Sequence, residues 1–363
     1  FMDQQIQEII ALFHSEKALH WTVNEIRQEE SDHRWTVFVE FPANQFVIKI
    51  AANDFTSEAR VNGWVKIIEA YRALGYYSPA LQKSRRGRYA ETVLFQGEQC
   101  VIWEEEYAAY HLLSTLDQAV YTAPDGQYTY TNEVLEFVGK VAQQHYDMFP
   151  YKSGWVRLEP FGAREAHDEI TECVHTFDRL VREKAPRHIP RWETLRAMFE
   201  KNRSQLAAIY PQLPTSVFQS DHFETNLLLD QTGHFKGVID YNLAGTDTAI
   251  NVFLYTALYG GPREAPLNAA AGLLPEYNVL SQDRVVERLL DTLRYLRRFY
   301  TFNEAEAQAI LPLYKYVTCV EYRQIGLLQK YCGDDEKLEL LFDTIEAELL
   351  RQEDRFDTVM LKG

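Results

Sequence analysis

Three oxygen-bearing side chains within residues 219–241 have the types and the spacing that phosphoryl transfer requires. The segment reads QSDHFETNLLLDQTGHFKGVIDY, so that four residues separate Asp221 from Asn226, and Asp240 closes a second apolar run. The apolar residues after Asn226 and before Asp240, separated by the turn-rich DQTGH, predict the two strands of a hairpin. Such a hairpin would bring the three side chains together at one end.

Each of these side chains could do a defined task. One carboxylate can accept a proton from a hydroxyl, while an amide oxygen and a second carboxylate are hard ligands for Mg²⁺ on nucleotide phosphates. The alternative is a set of turn residues, because Asp and Asn favour turns and an Asp–x4–Asn pair arises by chance about once in a chain of this length. The two strands and the closing Asp make the whole pattern more specific, and we interpret it as a phosphotransferase site.

The segment resembles the catalytic segment of the aminoglycoside phosphotransferase and choline kinase family, small-molecule kinases distantly related to protein kinases. In that family H-x-D-x-x-x-x-N precedes a strand, a turn and I-D-F or I-D-W. The resemblance implies that Asp221 contacts the acceptor hydroxyl and that Asn226 and Asp240 ligate Mg²⁺. Two positions that usually brace this loop differ, since Gln219 replaces the family's His and Asn251 stands at the second bracing position.

The remaining chain divides into a strand-rich and a helix-rich part. Hydrophobic periodicity predicts a helix at 2–19, strands at 21–26, 35–41 and 46–50, a helix at 57–74 and a hairpin of 89–95 with 99–103. Helices are predicted at 132–146, 164–183, 191–210, 249–258, 283–300, 304–330 and 334–353. With the resemblance, this order implies an α+β, protein-kinase-like two-lobed fold. The small antiparallel-sheet lobe is predicted at 1–103 and the larger, mainly helical lobe at 104–363.

A lysine lies within the third predicted strand, in the apolar run FVIKI. Buried lysines need a partner, and kinase-like folds use a third-strand Lys to hold the α- and β-phosphates and pair it with a Glu of the next helix. The alternative is an edge-strand Lys49 that reaches solvent. Glu58 and Glu69 lie on one face of the predicted helix, and only Glu69 is placed mid-helix. We therefore predict a Lys49–Glu69 pair and assign Glu58 to the helix N-terminus.

Two further segments concern the nucleotide. The resemblance implies that a short linker containing Glu105 and Tyr107 binds the adenine edge through its backbone, and we expect most of the acids at 104–106 to be solvated. The loop QEESDHR at 28–34 contains no glycine, although phosphate-binding loops normally use one. Ser31 or Arg34 would have to bind phosphate through side chains, or phosphate binding would be loose. No G-x-x-x-x-G-K-[ST] motif occurs, which excludes a P-loop.

Composition excludes several classes of protein. The chain has 363 residues, 46% of them apolar and 25% charged, enough for two hydrophobic cores in an ordinary globular protein. The net charge of −16 disfavours nucleic-acid binding and suits a cationic small-molecule acceptor, although net acidity mostly reflects solubility. The apolar stretches are too short to span a bilayer, the four cysteines form no C-x-x-C pair, and the N-terminus lacks a signal-peptide pattern. We expect a cytoplasmic protein without a membrane partner.

The sequence therefore predicts an ATP-dependent phosphotransferase that uses Mg²⁺ and transfers the γ-phosphate to a hydroxyl of a small molecule. The acceptor would be aminoglycoside-, choline- or homoserine-like, and its identity is not written in the sequence because relatives share machinery more than substrate. The alternative is a degenerate kinase-like protein that binds a nucleotide or a partner without efficient catalysis. Gln219, Asn251 and the glycine-free loop favour that alternative.

Overall fold

The predicted α+β class is confirmed by the computed structural model, which describes residues 1–29, 31–262 and 272–362. Glu30, in the predicted phosphate loop, lies outside the described residues. The strands are β1 (His20–Glu29), β2 (Asp32–Glu40), β3 (Gln45–Ala52), β4 (Leu81–Gln82), β5 (Ala90–Phe95), β6 (Glu98–Glu106), β7 (His111–Leu112), β8 (Thr215–Phe218), β9 (Leu227–Leu229), β10 (Phe235–Val238) and β11 (Gly245–Thr248). The helices are α1 (Met2–Phe13), α2 (Glu58–Ala73), α3 (Thr131–Gln143), α4 (Glu169–Lys184), α5 (Ile189–Ile209), α6 (Ala249–Tyr259), α7 (Val279–Leu296), α8 (Glu304–Cys319), α9 (Tyr322–Lys330), α10 (Asp335–Leu350) and α11 (Arg355–Asp357).

The chain divides into two units that are not continuous in sequence. The first contains Phe1–Thr122, Asp147–Tyr151 and Gln219–Gly245, and the second contains Ala123–Tyr146, Lys152–Phe218 and Thr246–Gly363. The predicted catalytic segment thus belongs to the same unit as the N-terminal strands. The lobe boundary at residue 103 stays a prediction.

An antiparallel sheet forms the centre of the first unit. Its order is β1-β2-β3-β6-β4, and β5 also pairs with β6. Along β2 the side chains alternate, with Trp35, Val37 and Val39 buried on one face. These residues form a core with the apolar face of α1, because alternate strand residues point to the same side of the sheet.

The opposite face of this sheet carries the polar residues of interest. The strand register places Arg34 opposite Ala51 and Thr36 opposite Lys49. Residues directly opposite each other, and residues two apart along a strand, share one face of a sheet. Trp103 of β6, opposite Lys49, packs edge-on against Trp64 of α2 at 5.1 Å between ring centroids. Helix α2, capped by the Ser57 side chain, therefore covers part of the face that carries Lys49.

The predicted catalytic segment forms a hairpin within a second sheet of the first unit, in the order β10-β9-β7. The segment after α2 also holds it, because Tyr77 N–H donates to the Lys236 carbonyl at 2.8 Å and Val238 N–H donates to the Tyr77 carbonyl at 3.1 Å. A Cβ at Gly237 would lie 1.7 Å from the Tyr77 carbonyl oxygen, so only glycine permits this approach. The hairpin is consequently anchored to the N-terminal part of the chain.

The second unit is mainly helical, as the sequence predicted. Helices α5 and α8 pack together, with Phe199 and Tyr316 stacked at 5.4 Å. The helix predicted at 304–330 is wrong as a single element, because Val320 is extended and Glu321 starts a new capping box with Gln324. Within the described part of the chain, no helix is both long enough and apolar enough to cross a membrane.

Candidate active site

The structure brings Asp221, Asn226 and Asp240 together at the end of the β9–β10 hairpin. Nδ2 of Asn226 donates to the Asp221 carboxylate at 2.8 Å and to the Asp221 carbonyl at 3.0 Å. The Ile239 N–H donates to the Asn226 carbonyl at 3.0 Å, which places Asp240 beside the start of β9. Asp240 adopts a left-handed backbone with φ of 64°, a conformation that Asp tolerates better than most residues.

Gln219 braces the loop at the position of the family's His. It is fully buried, and its Nε2 donates to the carbonyls of Ile239 at 2.7 Å and Asp240 at 2.6 Å. Its Oε1 accepts the Asp221 N–H at 2.9 Å. One amide side chain thus joins the two segments that carry the candidate catalytic and metal-binding carboxylates. The departure at this position leaves the loop supported.

Asp221 has the electrostatic surroundings of a functional carboxylate. Burial, followed by the charge of Asp240, raises its pKa to about 6, while the hydrogen bond from Asn226 and the charge of Arg34 act in the opposite direction. The charge of Asp240 disfavours the ionisation of Asp221, and a cation beside them would relieve this repulsion. Together with the amide oxygen of Asn226, the carboxylate oxygens form a donor set that suits a hard divalent cation.

Lys49 is paired with an acid of the neighbouring strand. Its Nζ lies 2.9 Å from Oε1 of Glu105, and both side chains are largely buried. Burial alone would lower the pKa of Lys49, but Glu105 and Asp240 outweigh it and raise that pKa above its ordinary value. Lys49 is therefore charged at neutral pH. The alternative of an edge-strand lysine that reaches solvent is wrong, because β3 lies between β2 and β6 and the Lys49 side chain is largely buried.

The predicted partner of Lys49 is wrong. Glu69 is exposed on α2, and the buried face of that helix presents apolar residues such as Val61, Trp64 and Ile68 toward the sheet. Glu58 accepts a hydrogen bond from the Thr92 hydroxyl at 2.6 Å instead. Because Glu58 is engaged with β5 and Glu69 is exposed, the counter-charge comes from Glu105, diagonal to Lys49 across the β3–β6 pair.

The acids at 104–106 are structural, so the expectation that most of them are solvated is wrong. Glu104 is buried against His14 at 2.7 Å, and Glu106 accepts hydrogen bonds from Arg72 at 2.6 Å and from the Tyr77 hydroxyl at 3.0 Å. Tyr107 is half exposed, and its N–H donates to the Gln45 carbonyl at 3.3 Å. An adenine contact by Glu105 and Tyr107 stays a prediction.

Arg34 points to the same side of the sheet as Lys49, and Asp32 fixes its side chain. Its Nε and Nη2 donate to the two Asp32 carboxylate oxygens at 2.9 and 2.5 Å. The Asp32 hydrogen bond, and next to it the charges of Asp32, Asp240 and Asp221, keep the pKa of Arg34 above its usual value despite burial. The sequence named Arg34 only as one of two candidates for phosphate binding. Pairing of β2 with β3 puts the Arg34 and Lys49 side chains on one face of the sheet, and this relation could have selected Arg34.

Asp247, which the sequence analysis missed, forms a separate buried cluster in the second unit. Nδ2 of Asn251 donates to the Asp247 carboxylate at 3.0 Å and to the Trp155 carbonyl at 2.8 Å. Burial raises the pKa of Asp247 to about 6, against hydrogen bonds from Asn251 and Ser153. Asp247 lies in β11 and Asn251 in the first turn of α6, so the pair forms across the junction of these two elements. The side chain of Asn251 is thus hydrogen-bonded to a buried carboxylate.

Comparison with known proteins identifies the fold. No protein-family model and no curated protein matches the sequence. A microcompartment-associated aminopropanol kinase is similar in structure, with a TM-score of 0.50 and 14% identity over 99% of both chains. An amicoumacin kinase solved with AMP-PNP and Ca²⁺ aligns with a TM-score of 0.48 and 13% identity over 96% of this chain and 93% of that chain. A spectinomycin phosphotransferase solved with ADP and spectinomycin aligns with a TM-score of 0.46 and 11% identity over 99% of this chain and 97% of that chain. The similarity to the aminopropanol kinase shows that the chain has the kinase-like fold that the sequence predicted.

Proposed function

We propose that this protein is an ATP-dependent kinase that phosphorylates a hydroxyl group of a small molecule. The observation that carries the proposal is the convergence of Asp221, Asn226 and Asp240 at the end of one hairpin. The charged, buried Lys49 belongs to the same unit and interacts electrostatically with Asp240. This combination supplies a base, metal ligands and a phosphate-binding cation.

Asp221 is the proposed base. The hydrogen bond from Asn226 orients its carboxylate, and a pKa of about 6 leaves it mostly ionised at neutral pH yet closer to that pH than an ordinary Asp. A base with a pKa near the working pH is efficient in general base catalysis. In this role Asp221 would position the acceptor hydroxyl and accept its proton as the oxygen attacks the γ-phosphorus, while the bond from that phosphorus to the bridging oxygen breaks and ADP leaves.

Asn226 and Asp240 are the proposed ligands of Mg²⁺. The fit rests on their oxygen donors and on the repulsion between Asp221 and Asp240, which a nearby cation would relieve. When bound with the nucleotide, Mg²⁺ neutralises phosphate charge. Nε2 of Gln219 donates to the Asp240 carbonyl and holds the Asp240 backbone in place. The proposed metal-binding residue is therefore positioned before metal or nucleotide binds.

The nucleotide would lie on the sheet face that carries Lys49. We propose that Lys49 binds its phosphates and that Glu105 keeps the lysine extended in position. Farther along the same face, the ring of Phe38 lies 6.4 Å from that of Tyr107, a pair of rings suited to an adenine base. Backbone groups of the linker around Glu105 and Tyr107 would contact the adenine edge.

The acceptor is proposed to be aminoglycoside-, choline- or homoserine-like, without involvement of nucleic acid or membrane. The net charge of −16 is compatible with a cationic acceptor. We place the enzyme in the cytoplasm because its four cysteines are free in the structure, as expected for a reducing compartment.

The test is a screen of hydroxyl-bearing metabolites and antibiotics that reads ADP formation from Mg²⁺-ATP. A kinase should form ADP with at least one acceptor, and Asp221→Asn should remove that signal while still binding ATP. ATP binding by the parent protein with no acceptor-dependent turnover would instead favour a degenerate kinase-like protein. The bracing of the loop by Gln219 speaks against degeneration.

A further inference from the structure

The turn between β1 and β2 lacks the glycine that would allow backbone amides to surround phosphate oxygens. Arg34 follows this turn, and its guanidinium forms a two-point contact with Asp32 through Nε and Nη2. A guanidinium that one carboxylate holds along its Nε–Nη2 edge keeps the N–H groups of Nη1 and a full positive charge for a phosphate oxygen, whereas a backbone amide offers a single uncharged donor. Arg34 therefore has the chemistry to replace a glycine-rich loop.

The strand register places Arg34 where it could do so. Arg34 lies opposite Ala51 and Lys49 lies opposite Thr36, so the two cationic side chains are on one face of the sheet. They are separated by two residues along the strand direction, roughly 7 Å at the rise of an antiparallel strand. That separation is comparable with the span of a triphosphate chain. The carboxylates of Asp221 and Asp240 act on Arg34, which places them in its neighbourhood.

The side chain of Arg34 is also held in place before a ligand binds. Asp32 is buried, and it accepts a further hydrogen bond from Nδ2 of Asn53 at 3.0 Å. Oδ1 of Asn53 accepts the Thr56 N–H at 2.8 Å, which ties this network to the residues preceding α2. The Phe55 ring lies 5.7 Å from the guanidinium carbon. Asp32 accepts from Nε and Nη2, and Gln28 Oε1 accepts a longer hydrogen bond from Nη2 at 3.4 Å, so a phosphate would bind through Nη1.

We propose that Arg34 binds the nucleotide phosphates through its side chain, in place of backbone amides, and that Asp32 is its positioning residue. This inference rests on the proposed function, since it needs a nucleotide on the Lys49 face. It explains how a turn without glycine can serve a kinase. It also assigns a role to a buried acid, Asp32, that would otherwise be an isolated structural partner of Arg34.

The inference predicts a defect that is specific to phosphate. Arg34→Gln should weaken ATP binding about 10- to 100-fold, the range expected for loss of charge-assisted hydrogen bonds, and leave adenosine binding unchanged. Arg34→Lys should fall between the parent and the Gln variant, because the charge remains and the planar fork is lost. Asp32→Asn should weaken ATP binding to a smaller extent and spare adenosine, a pattern that a merely structural role would not produce.

Calorimetric titration of the full-length protein with ATP and with adenosine, at constant Mg²⁺, tests the inference. Arg27→Gln is the matched control, because Arg27 is on the same hairpin, is exposed, and lies opposite His33 on the other face of the sheet. The expected result is a loss of ATP affinity in Arg34→Gln and none in Arg27→Gln. If Arg34→Gln and Arg34→Lys both bind ATP within two-fold of the parent, the role of Arg34 is overturned and the proposed function is not. Failure of the parent itself to bind ATP would overturn the proposed function and this inference together.

Discussion

Asp221 is held in a site that disfavours its charge, yet the proposed role as a base requires its carboxylate to be ionised. Carboxylates in such surroundings are typical of active sites, where position matters more than stability. The hydrogen bond from Asn226 and the charge of Arg34 partly offset the effects of burial and of Asp240. Removing the charge of Asp221 should therefore stabilise the protein and lower its turnover.

Asp221→Asn should lower turnover by about 10²- to 10⁴-fold, the range for a positioned general base. In the absence of metal and nucleotide, the same change should raise the free energy of unfolding at pH 8 by about 1–3 kcal/mol. The sign follows from a folded-state pKa of about 6 against an ordinary 3.8, since the folded state then holds its proton more tightly. The stability contribution of the protonated form is complete below about pH 4 and is lost as the pH rises to 6.

Urea denaturation of the apo protein at pH 4.5 and at pH 8 checks this prediction. The stability gain of Asp221→Asn should be clearly larger at pH 8. Equal gains at the two pH values, or a variant less stable than the parent at pH 8, would show that Asp221 is not held against its charge. The activity of the variant is measured separately, so a stability effect cannot be mistaken for a catalytic one.

Lys49 and Glu105 should act as one pair. Lys49→Met removes the charge and keeps most of the side-chain volume, and it should weaken ATP binding or turnover without unfolding the protein. Glu105→Gln should produce a similar defect, and the double variant should be little worse than either single one, because both changes break one contact.

Glu69→Gln is the control for that pair, since Glu69 is exposed on α2 and should leave ATP affinity unchanged. Affinities for ATP and turnover are measured for the three single variants and for the Lys49→Met, Glu105→Gln double variant. Additive defects of Lys49→Met and Glu105→Gln would argue against the pair. A loss of ATP affinity in Glu69→Gln as large as that in Lys49→Met would instead mean that the nucleotide-bound protein restores the pair predicted from the sequence.

The contacts of a site residue could be predicted when its partners lie close to it in sequence. Asp221, Asn226 and Asp240 lie on one hairpin, so their grouping followed from turn and strand patterns within a short segment. The partner of Lys49 lies on a strand distant in sequence, and no local pattern distinguishes Glu105 from its neighbours Glu104 and Glu106. The expectation that kinase-like folds pair this lysine with a Glu of the next helix was wrong here, because α2 carries apolar residues on its inner face.

At the scale of elements, the β9–β10 hairpin depends on a backbone contact that side-chain patterns did not reveal. The Tyr77 backbone pairs with Lys236 and Val238 on either side of Gly237. Strands β2, β3, β5 and β6 were predictable because their residues alternate or form apolar runs. The break between α8 and α9 was not, since both flanking segments keep helical periodicity and the extended Val320 has no sequence signal of its own.

Gly237→Ala should destabilise the protein by several kcal/mol, because the added Cβ would lie 1.7 Å from the Tyr77 carbonyl oxygen and backbone must move. The strain should also lower ATP affinity, since the same hairpin carries Asn226 and precedes Asp240. The measurement is chemical denaturation combined with ATP titration. Gly326→Ala is the control for the Gly-to-Ala change itself, because Gly326 is exposed within α9 with no atom near its Cβ position, and alanine there should stabilise by about 0.5–1 kcal/mol. An unchanged stability in Gly237→Ala would mean that Tyr77 does not hold the hairpin.

At the scale of the whole molecule, the candidate active site is contained in a unit that the chain assembles from three segments. Phe1–Thr122 provides the sheet with Arg34, Lys49 and Glu105, and Gln219–Gly245 provides the β9–β10 hairpin. The α+β class and the kinase-like fold were predictable from the order of elements and one motif. The grouping of the hairpin with the N-terminal strands was not, because it arises from backbone pairing across a long sequence separation.

The most direct test of this account is calorimetric titration of the parent protein and Asp240→Ala with ATP, in Mg²⁺ and in EDTA. The parent should bind ATP at least about ten-fold more tightly with Mg²⁺, and Asp240→Ala should lose that difference because a hard dication loses a charged oxygen ligand. Glu224→Ala, an exposed acid of the same loop, is the matched control and should keep the Mg²⁺ dependence of the parent. A parent protein whose ATP affinity is the same in Mg²⁺ and EDTA, or an Asp240→Ala variant with undiminished Mg²⁺ dependence, would contradict the assignment of this site.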